Sequence, residues 1–261
     1  MIISNINRIK TATIIVALFV IGALLNIPFS RELKRLKIEA GEVNAELSDS
    51  ITTEIVQTGI YGFILGVILV FVGLWISKKA QLGAPIIESF VSNSKKIKYP
   101  LFTKKLLYAI SLSIILALVI LLVHKLIRIY FPLMSIIERP SKPFYAIVSF
   151  SAGITEEIMF RLGLMSLIVV VIQRFKKEGK PSANVVWVGI IISALCFGLM
   201  HLPLSKNFSN FTLVSVSSTM IGNLITGSFF GWVYWKRGLL AAIIVHVVWD
   251  LVFHVVGSPY L

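Results

Sequence analysis

Charge and cysteine are both scarce in this chain. Only 14% of its 261 residues are Asp, Glu, Lys or Arg, far below the ~25% usual in soluble domains. By contrast 57% are hydrophobic and the mean hydropathy is +0.90. That balance excludes a soluble globular domain and a disordered chain, and it leaves an integral, multi-pass membrane protein, in the plasma membrane if the source is prokaryotic. A single cysteine, Cys196, excludes an intramolecular disulfide and any multi-cysteine metal site. Acidic residues are fewer than basic ones, 12 against 25, for a net charge of +13. Nearly all the basic residues lie between apolar runs, where they act as topology signals and contacts with anionic head groups of the lipid bilayer. No folded basic face with interleaved aromatics is visible, so nucleic acid is excluded as a partner. Internal repeats and low-complexity tracts are missing, as is the His-Glu-x-x-His run of ordinary soluble zinc peptidases.

What remains is apolar and long. Spanning takes about 20 mostly apolar residues, and candidate spans occupy 11–30, 57–77, 106–123, 143–172, 184–203, 211–235 and 238–256. The fold class expected is all-α, a polytopic transmembrane helical bundle of seven spans, or eight if the fourth breaks near Gly153. It reads as one integral-membrane domain, with amino-terminal helices and basic loops over 1–142 and a helical core over 143–261. The first apolar run exceeds a signal-peptide core and has no small-x-small cleavage site before Arg31, so it reads as a retained span. Residues 31–56 suit an interfacial amphipathic helix or short hairpin. The connection from Lys78 to Lys105, with seven lysines and two prolines, reads as a cytoplasmic, lipid-facing loop. In a seven-span arrangement the connections on the amino-terminal side carry 15 Lys and Arg against 9 on the other, which puts the amino terminus in the cytoplasm.

Six polar side chains interrupt the last three apolar segments that matter. Glu156, Glu157 and Arg161 fall inside the fourth span, where a charge costs at least ~2.5 to 3.5 kcal/mol. Glu157 and Arg161 are four residues apart with the acid first, the better order for a helical ion pair; that leaves Glu156 unexplained. His201 follows Phe197 by one helical turn, and His246 precedes Asp250 by one, with His254 continuing that face. Each alone has a structural reading as a packed histidine or a polar contact between helices. Together, in hydrocarbon that offers no other partners, they are expected to converge. A desolvated glutamate is an effective general base, and imidazoles bind a metal or donate to an oxyanion. Such a set suits amide hydrolysis by an activated water. No Ser or Cys has a credible base, and Cys196 is off the His201 face. Straight spans would leave Glu156 near mid-membrane and His201 near one surface, about 15 Å apart in depth.

The order Glu156-Glu157-x-x-x-Arg161, Phe197-x-x-x-His201 and His246-x-x-x-Asp250, on successive hydrophobic segments, resembles the CPBP intramembrane proteases. That family includes the type II CAAX prenyl endopeptidases and bacteriocin-processing or immunity proteins. The resemblance covers roughly residues 143–256. It implies an intramembrane endopeptidase in which Glu156 activates water, Glu157 and Arg161 support the site, and His201 and His246 are water, metal or oxyanion partners. Prenyl-processing members end the third motif in asparagine; this chain has Asp250. An ionised aspartate cannot donate to an oxyanion, so Asp250 suits an orienting partner for His246 or a metal ligand. The implied cofactor is a divalent metal such as zinc, held by Glu156, His201 and His246, with one position left open. The implied partner is a membrane protein or peptide substrate, prenylated in the CAAX case. A non-catalytic scaffold or immunity factor retaining the fold is the second reading. An ion-coupled transporter is the third, weakened by the missing inverted repeat.

Overall fold

A computed structural model describes residues 5–43, 50–93, 99–131, 137–176 and 179–257, and among these there is no strand. The helices are α1 Asn5–Leu25, α2 Ile27–Glu39, α3 Ile51–Lys79, α4 Pro85–Val91, α5 Tyr99–Tyr130, α6 Lys142–Glu156, α7 Ser166–Phe175, α8 Ala183–Ser205, α9 Leu213–Arg237 and α10 Leu239–Asp250. Two π-helical stretches, Glu157–Met165 and Leu251–Val256, continue α6 into α7 and extend α10. Among the described residues, seven helical segments are long and apolar enough to cross a membrane, including Asn5–Glu39, Lys142–Phe175 and Leu239–Val256. The all-α, multi-pass reading therefore holds. Outward residues such as Phe63, Ile64 and Phe71 on α3 are exposed apolar side chains, as expected where the surroundings are lipid rather than water.

Local chemistry explains the breaks. α1 stops at Asn26 because Pro28 occupies the first turn of α2, a position that tolerates its missing N–H but no preceding turn. Of residues 31–56, 31–39 fall in α2, which is amphipathic, 44–49 lie outside the described residues, and 51–56 belong to α3; in α2 Leu36 is buried, while Arg35 pairs with Glu32 and Glu39, and Arg31 reaches Glu54 at 2.9 Å. The basic connection after α3 is not wholly lipid-facing. Its short helix α4 buries Ile87 against the bundle, and the Leu239 N–H donates to the Gly83 carbonyl at 3.0 Å. Gly238 turns the chain from α9 into α10 with φ +84°, and a Cβ there would lie 2.4 Å from Pro85, so both backbone and space require glycine.

The fourth span is unbroken at Gly153, which disposes of the eight-helix alternative. Glycine serves there for close packing instead: a Cβ would stand 2.5 Å from Val247 Cγ2 and 3.2 Å from the Val247 backbone nitrogen. α6 and α10 thus meet backbone to backbone, the small-residue contact that holds membrane helices together. The expected depth mismatch also disappears. From the end that α7 and α8 share, Glu156 lies 19 residues before Phe175 and His201 lies 18 residues after Ala183, and equal counts mean nearly equal depth at ~1.5 Å per residue. At the opposite end α6 runs on to Lys142 while α8 stops at Ser205, so the α8–α9 connection is recessed there. If the close approach at Gly153 holds α6 on α10, Gly153→Val will lower the midpoint of thermal unfolding in detergent by several degrees, the effect of about 1 to 3 kcal/mol of overpacking. Gly59→Ala, where a Cβ meets nothing within 4 Å, will leave the midpoint unchanged or slightly raised.

Candidate active site

Neighbouring residues on a helix point about 100° apart, and this splits the two glutamates. Glu157 turns into the protein and is 0% exposed, with Arg161 beside it at 1%. Glu156 turns toward a cavity, its side chain 18% exposed. The inward carboxylate is shared: Oε2 is 3.3 Å from Arg161 Nε, and Oε1 accepts from His246 Nδ1 at 2.8 Å. Arg161 also donates through Nη2 to the Gly227 carbonyl at 3.1 Å, and its guanidinium lies 4.8 Å from the Phe197 ring centroid and 5.6 Å from that of Phe230. A buried cation thus has a carboxylate, a carbonyl and two aromatic faces for company.

The π stretch Glu157–Met165 opens the helix where the site is built. Within it two carbonyls also receive side-chain hydrogen bonds: Ser166 Oγ donates to the Arg161 carbonyl and Ser193 Oγ, from α8, to the Phe160 carbonyl, both at 3.0 Å. Neither serine carried a signal readable in the sequence. Replacing Ser193 with alanine removes this buried hydrogen bond between α8 and the π stretch, and a loss of about 1 kcal/mol of stability is expected, measurable as a lowered unfolding midpoint; Ser193→Thr, which keeps the hydroxyl, will restore most of it.

His201 and His246 reach the cavity from α8 and α10. His201 Nδ1 donates to the Phe197 carbonyl at 2.8 Å, and His246 is held through Nδ1 by Glu157 and stacked on Phe230 with centroids 4.3 Å apart. With both Nδ1 atoms so engaged, both Nε2 atoms face Glu156 Oε2, at 3.9 Å from His201 and 3.8 Å from His246. That oxygen is buried and has no hydrogen-bond partner. Asp250 Oδ1 stands 3.7 Å from His246 Nε2, beyond hydrogen-bond range and on the ring edge that faces Glu156. The group that orients His246 is therefore Glu157, not Asp250, a pairing across 89 positions that helical spacing does not reveal. All six residues singled out in the sequence come together: His201 and His246 face the Glu156 oxygen, Asp250 lies beside His246, and Glu157 with Arg161 stands behind them.

The surrounding cavity measures about 670 Å³ and reaches the recessed α8–α9 end, where Asn26, Arg128, Arg139, Ser209 and Ser215 line it. Tyr145 lines it too, stacked on His254 at 5.1 Å and 4°. Phe230, Tyr145, Arg128 and Arg139 were not apparent as site residues in the sequence, since an aromatic in an apolar helix and an arginine near a span end are both commonplace.

The donor set suits a divalent metal in kind. One carboxylate oxygen and two imidazole Nε2 atoms converge, and the Glu157 carboxylate on His246 Nδ1 is the outer-shell partner that metal-binding histidines use. Their separations of 3.8 and 3.9 Å exceed the roughly 3.4 Å edge of a tetrahedral site with ligands at about 2.1 Å. Among the described residues no trio of His, Cys, Asp or Glu is already drawn together as a metal set. The spacing equally suits a water molecule bonded to all three.

Comparison with known proteins finds one family. Residues 139–252, somewhat under half of the chain, match the family described as type II CAAX prenyl endopeptidase Rce1-like. That stretch runs from just before α6 to the start of the second π segment and includes every residue of the three motifs. No curated protein and no solved structure matches the chain.

Proposed function

Given an Rce1-like domain over residues 139–252, the family to which its three motifs pointed, we propose that the chain is an intramembrane endopeptidase in which Glu156 activates a water molecule. The observation that carries this reading is the buried, unpartnered Glu156 Oε2 facing two imidazole nitrogens in a cavity between membrane helices. A buried acceptor without a partner costs free energy, and a water in that position removes the cost. Glu156 takes one water proton as the oxygen attacks the scissile carbonyl, and a tetrahedral intermediate forms. His201 and His246 hold the water through Nε2, and whichever ring carries both protons donates Nε2–H to the oxyanion. Glu156 then returns its proton to the leaving amine. Glu157, neutralised by Arg161, fixes the ring of His246 throughout. A metal bound by Glu156, His201 and His246 would polarise the carbonyl and acidify the water.

The substrate is a membrane-associated protein or peptide. Two features favour an exported peptide over a cytoplasmic prenyl protein. Asp250 stands where prenyl-processing members have asparagine, and the cavity reaches the end of the bundle whose connections carry fewer Lys and Arg, the extracytoplasmic end under the positive-inside rule. On a Cys196→Ser background, Asn210→Cys will react with a membrane-impermeant maleimide in intact bacterial cells, while Lys180→Cys will react only after permeabilisation. The reverse labelling puts the mouth in the cytoplasm and restores a prenylated CAAX protein as the favoured substrate.

For the chemistry, farnesylated and unmodified membrane peptides incubated with purified protein are read by mass spectrometry. Glu156→Gln will lower cleavage at least about 100-fold, the usual worth of a general base, with insertion and monodispersity unchanged; retained cleavage by that variant overturns the assignment. Loss of cleavage on chelation with recovery on added zinc assigns the metal-holding form, and indifference to chelator assigns the water-only form.

A further inference from the structure

A second cavity, of about 510 Å³, lies at the opposite end of α9 from the α8–α9 connection, between the α3–α4 turn, the start of α5 and the turn into α10. Lys105, Lys236 and Arg237 line it against one carboxylate, Glu88, and the cations that act on Glu88 are Lys78 and Arg8. The wall therefore keeps an excess of positive charge. Among the described residues no carboxylate lies within 4 Å of any of the three cations. Lys236 rests its ammonium 3.2 Å from the Trp235 ring centroid, and Arg237 donates through Nη1 to the Lys236 carbonyl at 2.9 Å. Leu101 and Phe102 share the pocket, and Leu101 is 48% exposed. Unpaired cations beside apolar surface suit an amphiphile with an anionic head.

Tryptophan and lysine place this pocket at the membrane surface. Trp235 lines it and packs edge-on against Trp187 with ring centroids 6.3 Å apart, and at the end of α3 Lys79 holds its ammonium 3.5 Å from the Trp75 ring centroid. Indole rings gather at the boundary between hydrocarbon and water, and lysines beside them extend to the head groups. The connections at this end carry most of the Lys and Arg, which makes the surface cytoplasmic, and basic pockets between helices on that side hold lipid head groups. We propose that the pocket binds an anionic phospholipid of the cytoplasmic leaflet, its phosphate between Lys105, Lys236 and Arg237 and its acyl chains along Leu101 and Phe102. Gly83 and Gly238 also line the pocket, and the Leu239 N–H donates to the Gly83 carbonyl, so a lipid held there braces the joint between α4 and α10. Such a site serves the fold whether or not the chain is a peptidase. A soluble phosphate offers the same oxygens without acyl chains, so the test separates the two sources.

Native mass spectrometry of the full chain, released from micelles containing equal phosphatidylglycerol and phosphatidylcholine, reads the bound lipid directly. One phosphatidylglycerol is expected to stay on the protein in at least about tenfold preference to phosphatidylcholine, since each basic side chain near a head group is worth about fivefold. Changing Lys105, Lys236 and Arg237 together to Gln will bring that preference to about twofold or less. A charge-matched variant at the same end of the bundle but outside the pocket, Arg174→Gln with Lys176→Gln and Lys180→Gln, will keep it. Thermal unfolding in detergent gives a second readout: phosphatidylglycerol will raise the midpoint of the parent and of the charge-matched variant, as a ligand of the folded state does, and will leave that of the pocket variant where it was. If the triple pocket variant is not monodisperse, Arg237→Gln alone serves, with a loss of about fivefold. Equal retention of the two lipids overturns the proposal, as does a preference lost equally in the charge-matched variant, which would mark a general attraction to the basic surface. A midpoint raised as much by inorganic phosphate as by the lipid assigns the pocket to a soluble anion and also overturns it.

Discussion

The structure depends on one buried carboxylate being held from two sides. Glu157 sits between Arg161 at 3.3 Å and His246 at 2.8 Å with no exposure to solvent, and no member of that set is stable in a membrane without the others. Desolvating a charge costs several kcal/mol, and removing one partner of a buried pair typically costs about 3 to 5 kcal/mol because the other is left uncompensated. The ion pair is local to one helix. The histidine belongs to α10, so the same carboxylate that balances the arginine also fixes the last span against the fourth and aims Nε2 of His246 at the cavity. What the fold needs and what the chemistry needs are met by one side chain.

Around that set the backbone is adapted rather than regular. A π stretch begins at Glu157, two of its carbonyls are bonded by Ser166 and Ser193, and Gly153 lets α6 lie against the backbone of α10. Each device brings helices closer where polar groups must meet, and together they leave a cavity on the side where α8 stops short. At the recessed α8–α9 end the cavity extends to the depth of Glu156 without breaking any spanning helix.

Much of this was legible in the sequence. Seven spans followed from hydropathy, and the six polar residues stood out because apolar surroundings make each of them costly. Adjacent glutamates could be assigned different partners, since four-residue spacing gave Glu157 to Arg161. The spacing misled for Asp250: a histidine and an aspartate one turn apart suggested an orienting pair, yet the ring is oriented by Glu157 from another helix, a tertiary contact that no local pattern encodes. The suspected break at Gly153 failed for a similar reason, because glycine signals either a break or a close approach, and only the position of Val247 distinguishes them. Depth was misjudged because the spans are of unequal length and were compared at the wrong surface. The arginines of the cavity wall were hidden among the topology signals they resemble.

The central claim is a division of labour in which Glu157 holds the structure and Glu156 is left free to react. Thermal unfolding of Glu156→Gln and Glu157→Gln, purified and measured side by side in the same detergent, tests it most directly. Glu157→Gln should unfold many degrees below the parent, in keeping with about 3 kcal/mol or more from a broken buried pair, while Glu156→Gln should unfold at the parent temperature or above it, since its cavity-facing oxygen has no partner to lose. Equal destabilisation by the two substitutions, or a stable Glu157→Gln protein, would contradict the account.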